Sequence, residues 1–102
     1  MTWEQIQEAI RAHGLILSRH AQHERVAEGV NVDEILQALL ARIIVEDYPT
    51  HTRGSCCLVY GQTEAGRDLH VVVTSTLVPV LVITVYEPTA PRWTTPVTRG
   101  TR

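Results

Sequence analysis

Arg67-Asp68-Leu69-His70-Val71-Val72-Val73-Thr74, followed after a short break by Val80-Leu81-Val82-Ile83-Thr84-Val85-Tyr86, decides how this chain folds. Both stretches are rich in β-branched residues and read as neighbouring strands. Side chains alternate across a strand, so each stretch has two faces. The odd positions Leu69, Val71, Val73, Leu81, Ile83 and Val85 are all apolar; the even set holds His70, Thr74, Thr84 and Tyr86 beside Val72 and Val82. One face is suited to a core and the other to a site. Burial favours a register in which the apolar sets coincide, and an even-sum pairing then puts His70 near Thr84 and one strand step from Tyr86.

Working outward, Cys56-Cys57-Leu58-Val59-Tyr60 reads as a third strand, joined to Arg67 through the glycine-containing connection Gln62 to Gly66. If Gln62 pairs with Arg67, Leu58 and Tyr60 share the core face with Leu69 and Val71, and Cys57 lies on the His70 side. Ile43 to Tyr48 is β-branched, ends at Pro49 and supplies a fourth strand, with the polar loop Thr50 to Ser55 leading out of it. The expected sheet is a four-stranded antiparallel meander.

Upstream the pattern is helical. Thr2 with Gln5 forms a capping-box signature, and Trp3, Ile6, Ile10 and His13 recur at helical spacing up to Gly14, which predicts a helix from Trp3 to His13. Leu15-Ile16-Leu17 can be an edge strand or an extended linker. Ser18 is a good cap for a second helix over Arg19 to Glu28, which Gly29 stops. Its apolar stripe is thin, only Ala21, Val26 and Ala27, while it displays His20, His23, Glu24 and Arg25. Asn31, with Glu34 reaching back, starts a third helix whose Val32, Ile35, Leu36, Leu39, Leu40 and Ile43 form a broad apolar face to cover the sheet. The class is therefore α+β, with N-terminal helices packed on the sheet.

The bulk composition bounds the function. With 102 residues, 44% hydrophobic and 20% charged, the chain fits one globular domain: a helix over 1–14, a core over 15–93 and a flexible tail over 94–102. Pro88, Pro91 and Pro96 exclude the segment from Glu87 onward from a central strand, although Trp93 can pack back. Lysine and phenylalanine are absent, and the net charge of -2 gives no general attraction to nucleic acid or acidic membranes. Adjacent Cys56 and Cys57 read as reduced thiols, since a disulfide between neighbours is incompatible with an ordinary strand. With no signal-like start and no apolar run of bilayer length, these point to the cytoplasm.

Several residue types carry chemistry. His20 and His23 lie one helical turn apart with Glu24 beside them, a spacing that can bring two imidazoles to one metal; without a further ligand fixed in sequence, the plainer reading is a solvated helix face and no metal. Cys57 reads as a small half-buried strand residue rather than a nucleophile. Glycines are scattered in stops and turns, so no phosphate-cradling loop and no nucleotide cofactor are expected. His20 and Arg25 on the second helix, His70 on its strand and Thr84 with Tyr86 on the last are a different matter. Imidazole, guanidinium and phenol are the groups that RNA cleavage by its own 2'-hydroxyl can use as base, charge-neutralising contact and acid. A tyrosine ring can also stack on an unpaired base. The competing explanation is that His70 and Tyr86 are half-buried sheet residues satisfied by hydrogen bonds and that Arg25 pairs with Glu28 or Asp33.

The strings Ser18-Arg19-His20-Ala21, Cys57-Leu58-Val59-Tyr60-Gly61, Gly66-Arg67-Asp68-Leu69-His70-Val71-Val72 and Ile83-Thr84-Val85-Tyr86-Glu87-Pro88, with Arg25 and Trp93, resemble one bacterial family. It is the family catalogued as domain of unknown function 4258, grouped with the RelE- and ParE-like toxins. The resemblance implies a RelE-like fold and a metal-independent endoribonuclease of a toxin-antitoxin pair, inhibited by a zinc-finger-type antitoxin encoded alongside. It carries over by position to His20, Arg25, His70 and Tyr86, the expected catalytic residues; Arg19, Arg67 and Thr84 are the expected RNA contacts beside them. From a different class, a non-catalytic protein-binding module or a degenerate toxin of the same fold is the alternative.

Overall fold

The computed structural model describes residues 3–40, 43–48, 56–74, 79–89, 93–95 and 98–99. Three helices and five strands build an α+β domain: α1 (Trp3–His13), β1 (Leu15–Leu17), α2 (Arg19–Glu28), α3 (Val32–Leu40), β2 (Ile43–Tyr48), β3 (Cys56–Gln62), β4 (Asp68–Thr74) and β5 (Val80–Tyr86). The Thr2 cap, the 50–55 loop, residues 75–78 and the side chains of Trp3, Ile6 and Trp93, on all of which expectations rested, lie outside the described residues. Within the tail, β6 (Trp93–Thr95) pairs with β7 (Thr98–Arg99) as a separate two-stranded ribbon.

Local chemistry sets the helix limits. Ser18 caps α2 by accepting a hydrogen bond from the Ala21 amide at 3.0 Å. Gly29, at φ 68, ends the helix in a left-handed turn; its own N–H bonds Val26 and that of Val30 bonds Arg25, the paired closure typical of glycine stops. Asn31 and Glu34 cap α3 reciprocally: each side chain accepts from the other's amide, at 2.8 Å and 3.0 Å.

The sheet is five-stranded and mixed, in the order β1-β5-β4-β3-β2, not four-stranded and antiparallel. The added strand is Leu15–Leu17, which runs parallel to β5 with Leu15 opposite Val80 and Leu17 opposite Val82. Parallel neighbours need a long crossover, here everything from α2 to β4, so no local turn announces the pairing. Its three residues are also too few to show a period.

Two registers differ from expectation, that of β3 with β4 by one residue and that of β4 with β5 through a bulge. The β3–β4 hairpin closes between Thr63 and Arg67, with Gly66 at φ 85 in the left-handed position of a three-residue loop. Gln62 therefore faces Asp68 rather than Arg67, and the faces exchange: Cys57 and Val59 join Val71 and Val73 in the core, while Leu58 and Tyr60 lie on the His70 side. In β5 a bulge skips Ile83, since Val72 faces Thr84 and Val73 faces Val82. The core positions of β5 are thus Val80, Val82 and Val85, all fully buried, whereas Leu81 and Ile83 are only partly buried. Beyond the bulge, His70 stands directly opposite Tyr86 instead of one step away.

The core lies between this sheet face and the helices. Ile35, Ala38 and Leu39 of α3, Ala9 and Ile10 of α1 and Ala21 of α2 close over it. Val32 and Leu40, expected to cover the sheet, lie at the exposed margins of α3, because the buried arc is centred on positions 35, 38 and 39, and Ile43, expected on the same face, begins β2 instead.

The thin apolar stripe of α2 now has a physical account. β1 covers the outer edge of β5 only as far as Val82, which would leave the rest of that edge with unpaired backbone groups. Polar side chains of α2 take the place of a strand. The Ser18 hydroxyl donates to the Ile83 carbonyl at 3.0 Å, the Val85 amide donates to Glu24 at 3.0 Å and the Glu87 amide to Glu28 at 2.7 Å. Ser18 therefore serves both helix and sheet. Ser18→Ala is expected to lower stability by about 1–2 kcal/mol, through the lost cap and an unanswered carbonyl, measured by urea denaturation.

Candidate functional site

The two ends of the site are built differently. On the α2 side, His20 lies in the first turn with its side chain 63% exposed, and its Nε2 is 3.2 Å from the Glu24 carboxylate one helical turn on. The same carboxylate oxygen receives the Val85 amide and the Thr84 hydroxyl, so it is anchored to β5. His20 is thereby an exposed imidazole oriented by a fixed carboxylate. A base held by a third group is the arrangement that directs proton transfer in many acyl- and phosphoryl-transfer sites.

On the sheet side, three rings form a row across β3, β4 and β5. Tyr60 faces His70 and His70 faces Tyr86 in the two adjacent registers. The His70 ring meets Tyr60 edge-on at a centroid distance of 6.2 Å and Tyr86 at 5.3 Å. His70 Nδ1 and the Tyr86 hydroxyl share a hydrogen bond of 3.2 Å. His70 is fully buried, whereas Tyr86 is half-buried. Tyr60 donates from its hydroxyl to Asp68 at 2.7 Å, and Gln62 donates to the same oxygen at 3.0 Å.

The site residues expected from sequence divide accordingly. His70 and Tyr86 are in contact. His20 and Thr84 are joined through Glu24, and Thr84 lies two residues from Tyr86 on β5. Arg25 does not join them by any contact described: it donates to Gln22 at 2.6 Å and to the Val30 carbonyl at 3.4 Å, across the C-terminal end of its own helix. Arg19 is exposed at the start of α2. His23 is exposed and lines a shallow depression with Gln22 and Val26; among the described residues no three His, Cys, Asp or Glu side chains cluster as metal ligands. Cys57 is buried in the core.

Arg67 is occupied internally. Its guanidinium donates to the carbonyls of Glu28 and Gly29, at the end of α2, and to Glu87 at 3.0 Å, with Glu34 at 3.6 Å. The hydrogen bond to Glu87 holds its pKa above the ordinary arginine value, against the opposing cost of burial and with further support from the charges of Glu87 and Glu34. A raised pKa keeps the cation's stabilising contribution throughout ordinary pH; it is lost only as pH climbs past that already extreme value.

Two participants escaped the sequence reading. Glu24 stands at i+4 from His20, a visible spacing, but its anchors lie on a strand sixty positions away. Tyr60 was assigned to the core face by a hairpin register one residue out; a three-residue loop ending in Gly66 would have placed it beside His70. Comparison with curated proteins and with solved structures returns no match. The strings around His20, His70 and Tyr86 do fall within one family profile, which spans residues 17–87 and so takes in α2 and all of β2 to β5. The chain belongs to this family, described as Domain of unknown function (DUF4258).

Proposed function

We propose that this protein is a toxin-like endoribonuclease with a RelE-like fold, one half of a toxin-antitoxin pair, which cleaves single-stranded or ribosome-bound RNA without a metal. The observation that carries the reading is the exposed His20 imidazole, oriented by a Glu24 carboxylate that β5 holds in place. In the proposed step, His20 takes the proton of a ribose 2'-hydroxyl through the ring nitrogen turned away from Glu24. The 2'-oxygen bonds to phosphorus, the bond from phosphorus to the 5'-oxygen breaks, and that oxygen takes a proton from Tyr86. The products are a 2',3'-cyclic phosphate and a 5'-hydroxyl. Arg19, exposed beside His20, supplies positive charge for the phosphorane, and Thr84 lines the approach between His20 and Tyr86, whereas Arg25 is engaged with Gln22 and the Val30 carbonyl. Arg67 belongs to the framework. A small zinc-finger-type antitoxin would cover this face.

Expression of the chain without its neighbouring gene product is expected to arrest growth, and the purified protein to cut RNA in the presence of a chelator. Intact RNA together with unimpeded growth rejects the proposal. One observation favours a second reading, a non-catalytic protein-binding module: the complete burial of His70, which the sequence reading had placed among the reacting groups. Under that reading His20→Ala and Tyr86→Phe leave the phenotype unchanged while a partner still co-purifies.

A further inference from the structure

A side chain with no exposed surface cannot touch a substrate, yet His70 sits at the centre of the ring row, in contact with a half-buried tyrosine. We infer that His70 is a positioning residue that donates from Nδ1 to the Tyr86 oxygen, so that the single phenolic proton of Tyr86 faces away from the sheet. This deepens the ribonuclease reading and rests on it for the activity it predicts.

The chemistry requires a definite direction in that 3.2 Å hydrogen bond. Tyrosine has one proton. If the phenol donated it to His70, none would remain for a leaving 5'-oxygen. If His70 donates instead, the phenol keeps its own proton to donate elsewhere, and the same N–H stabilises the phenolate left after transfer. The row supplies the rigidity. Tyr60 meets the other side of the imidazole and is fixed in turn by its hydrogen bond to Asp68, so the ring cannot tilt without disturbing both neighbouring strands.

His70→Asn and His70→Leu separate positioning from imidazole chemistry, because the asparagine amide can occupy the place of Nδ1 and donate from it, while leucine only fills space. Cleavage by His70→Asn is expected to stay within about tenfold of wild type, and His70→Leu to lose about 100-fold in kcat with little change in KM, as a misplaced reacting group does. Thermal melts of both variants show whether each is folded at the assay temperature. Nitrogen-15 NMR of the histidine rings gives a readout that needs no activity: His70 is expected with its proton on Nδ1, and Tyr86→Phe is expected to shift that resonance. Equal loss in both variants would overturn the inference in favour of His70 as a reacting base, and undiminished cleavage by His70→Leu would overturn it altogether. A proton on Nε2 alone would do the same whatever the activities. Should the wild type cleave no RNA while His70 carries its proton on Nδ1 and responds to Tyr86→Phe, the ribonuclease reading fails and the positioning of Tyr86 by His70 stands.

Discussion

Arg67→Met is expected to lower the stability of the domain by about 3 kcal/mol, with a fall in melting temperature readable by circular dichroism or calorimetry. The side chain is only 23% exposed, and its one guanidinium joins four segments: the end of α2 through the Glu28 and Gly29 carbonyls, the start of α3 through Glu34, the hairpin connection that leads into β4 and carries Arg67 itself, and the end of β5 through Glu87. The two carbonyls are among those that a helix end leaves without intrahelical partners. Methionine keeps the bulk of the aliphatic stem but leaves the carbonyls and two carboxylates without their cation. The contribution of Glu87 is discounted because it is 41% exposed and partly screened by water, so most of the loss comes from the carbonyls and Glu34. Charge-conserving Arg67→Lys is expected to recover less than half, since an ammonium cannot span that fork of acceptors.

His20→Ala is expected to slow RNA cleavage by about 10²–10³-fold, the range for removing a general base. Because the imidazole is mostly exposed, the same substitution should change stability by no more than about 0.5 kcal/mol. This separation of activity from stability is what distinguishes His20 from Glu24. The carboxylate holds His20 and also receives the Val85 amide and the Thr84 hydroxyl, so its loss is expected to cost both activity and stability. Cleavage rates with a defined single-stranded RNA, beside urea denaturation of the same preparations, check both statements.

The parts of this fold that were legible in sequence are those decided within a few residues. Ser18, Gly29 and the Asn31–Glu34 pair act on backbone groups one turn away, and the limits of α2 and the start of α3 follow from such local signals. The alternation along β4 likewise placed Leu69, Val71 and Val73 in the core cluster, although His70 on the opposite face is just as fully buried. What was not legible depends on partners distant in sequence or on single backbone conformations. The left-handed Gly66 shortens the hairpin loop by one residue and moves Tyr60 from the expected core to the side of His70. The bulge at Ile83 reverses the parity of the first half of β5, and no residue type in that apolar run marks it. The parallel pairing of β1 is long-range and three residues long.

The candidate site shows the same division. The chemistry of His20, His70 and Tyr86 was visible as residue type, and their placement on α2 and two strands was correct. The pairing of His70 with Tyr86 needed the bulge, and the anchoring of Glu24 needed the open edge of β5 that α2 covers. A helix whose composition looks too polar to pack can thus be reporting a sheet edge that its side chains complete.

The end groups left on RNA cut by the wild-type protein in the presence of a chelator test the central claim most directly. Attack by the 2'-hydroxyl, with His20 as base, predicts a 2',3'-cyclic phosphate on one fragment and a 5'-hydroxyl on the other, both lost in His20→Ala. A 3'-hydroxyl with a 5'-phosphate, or cyclic phosphate formed equally well by His20→Ala, would contradict it.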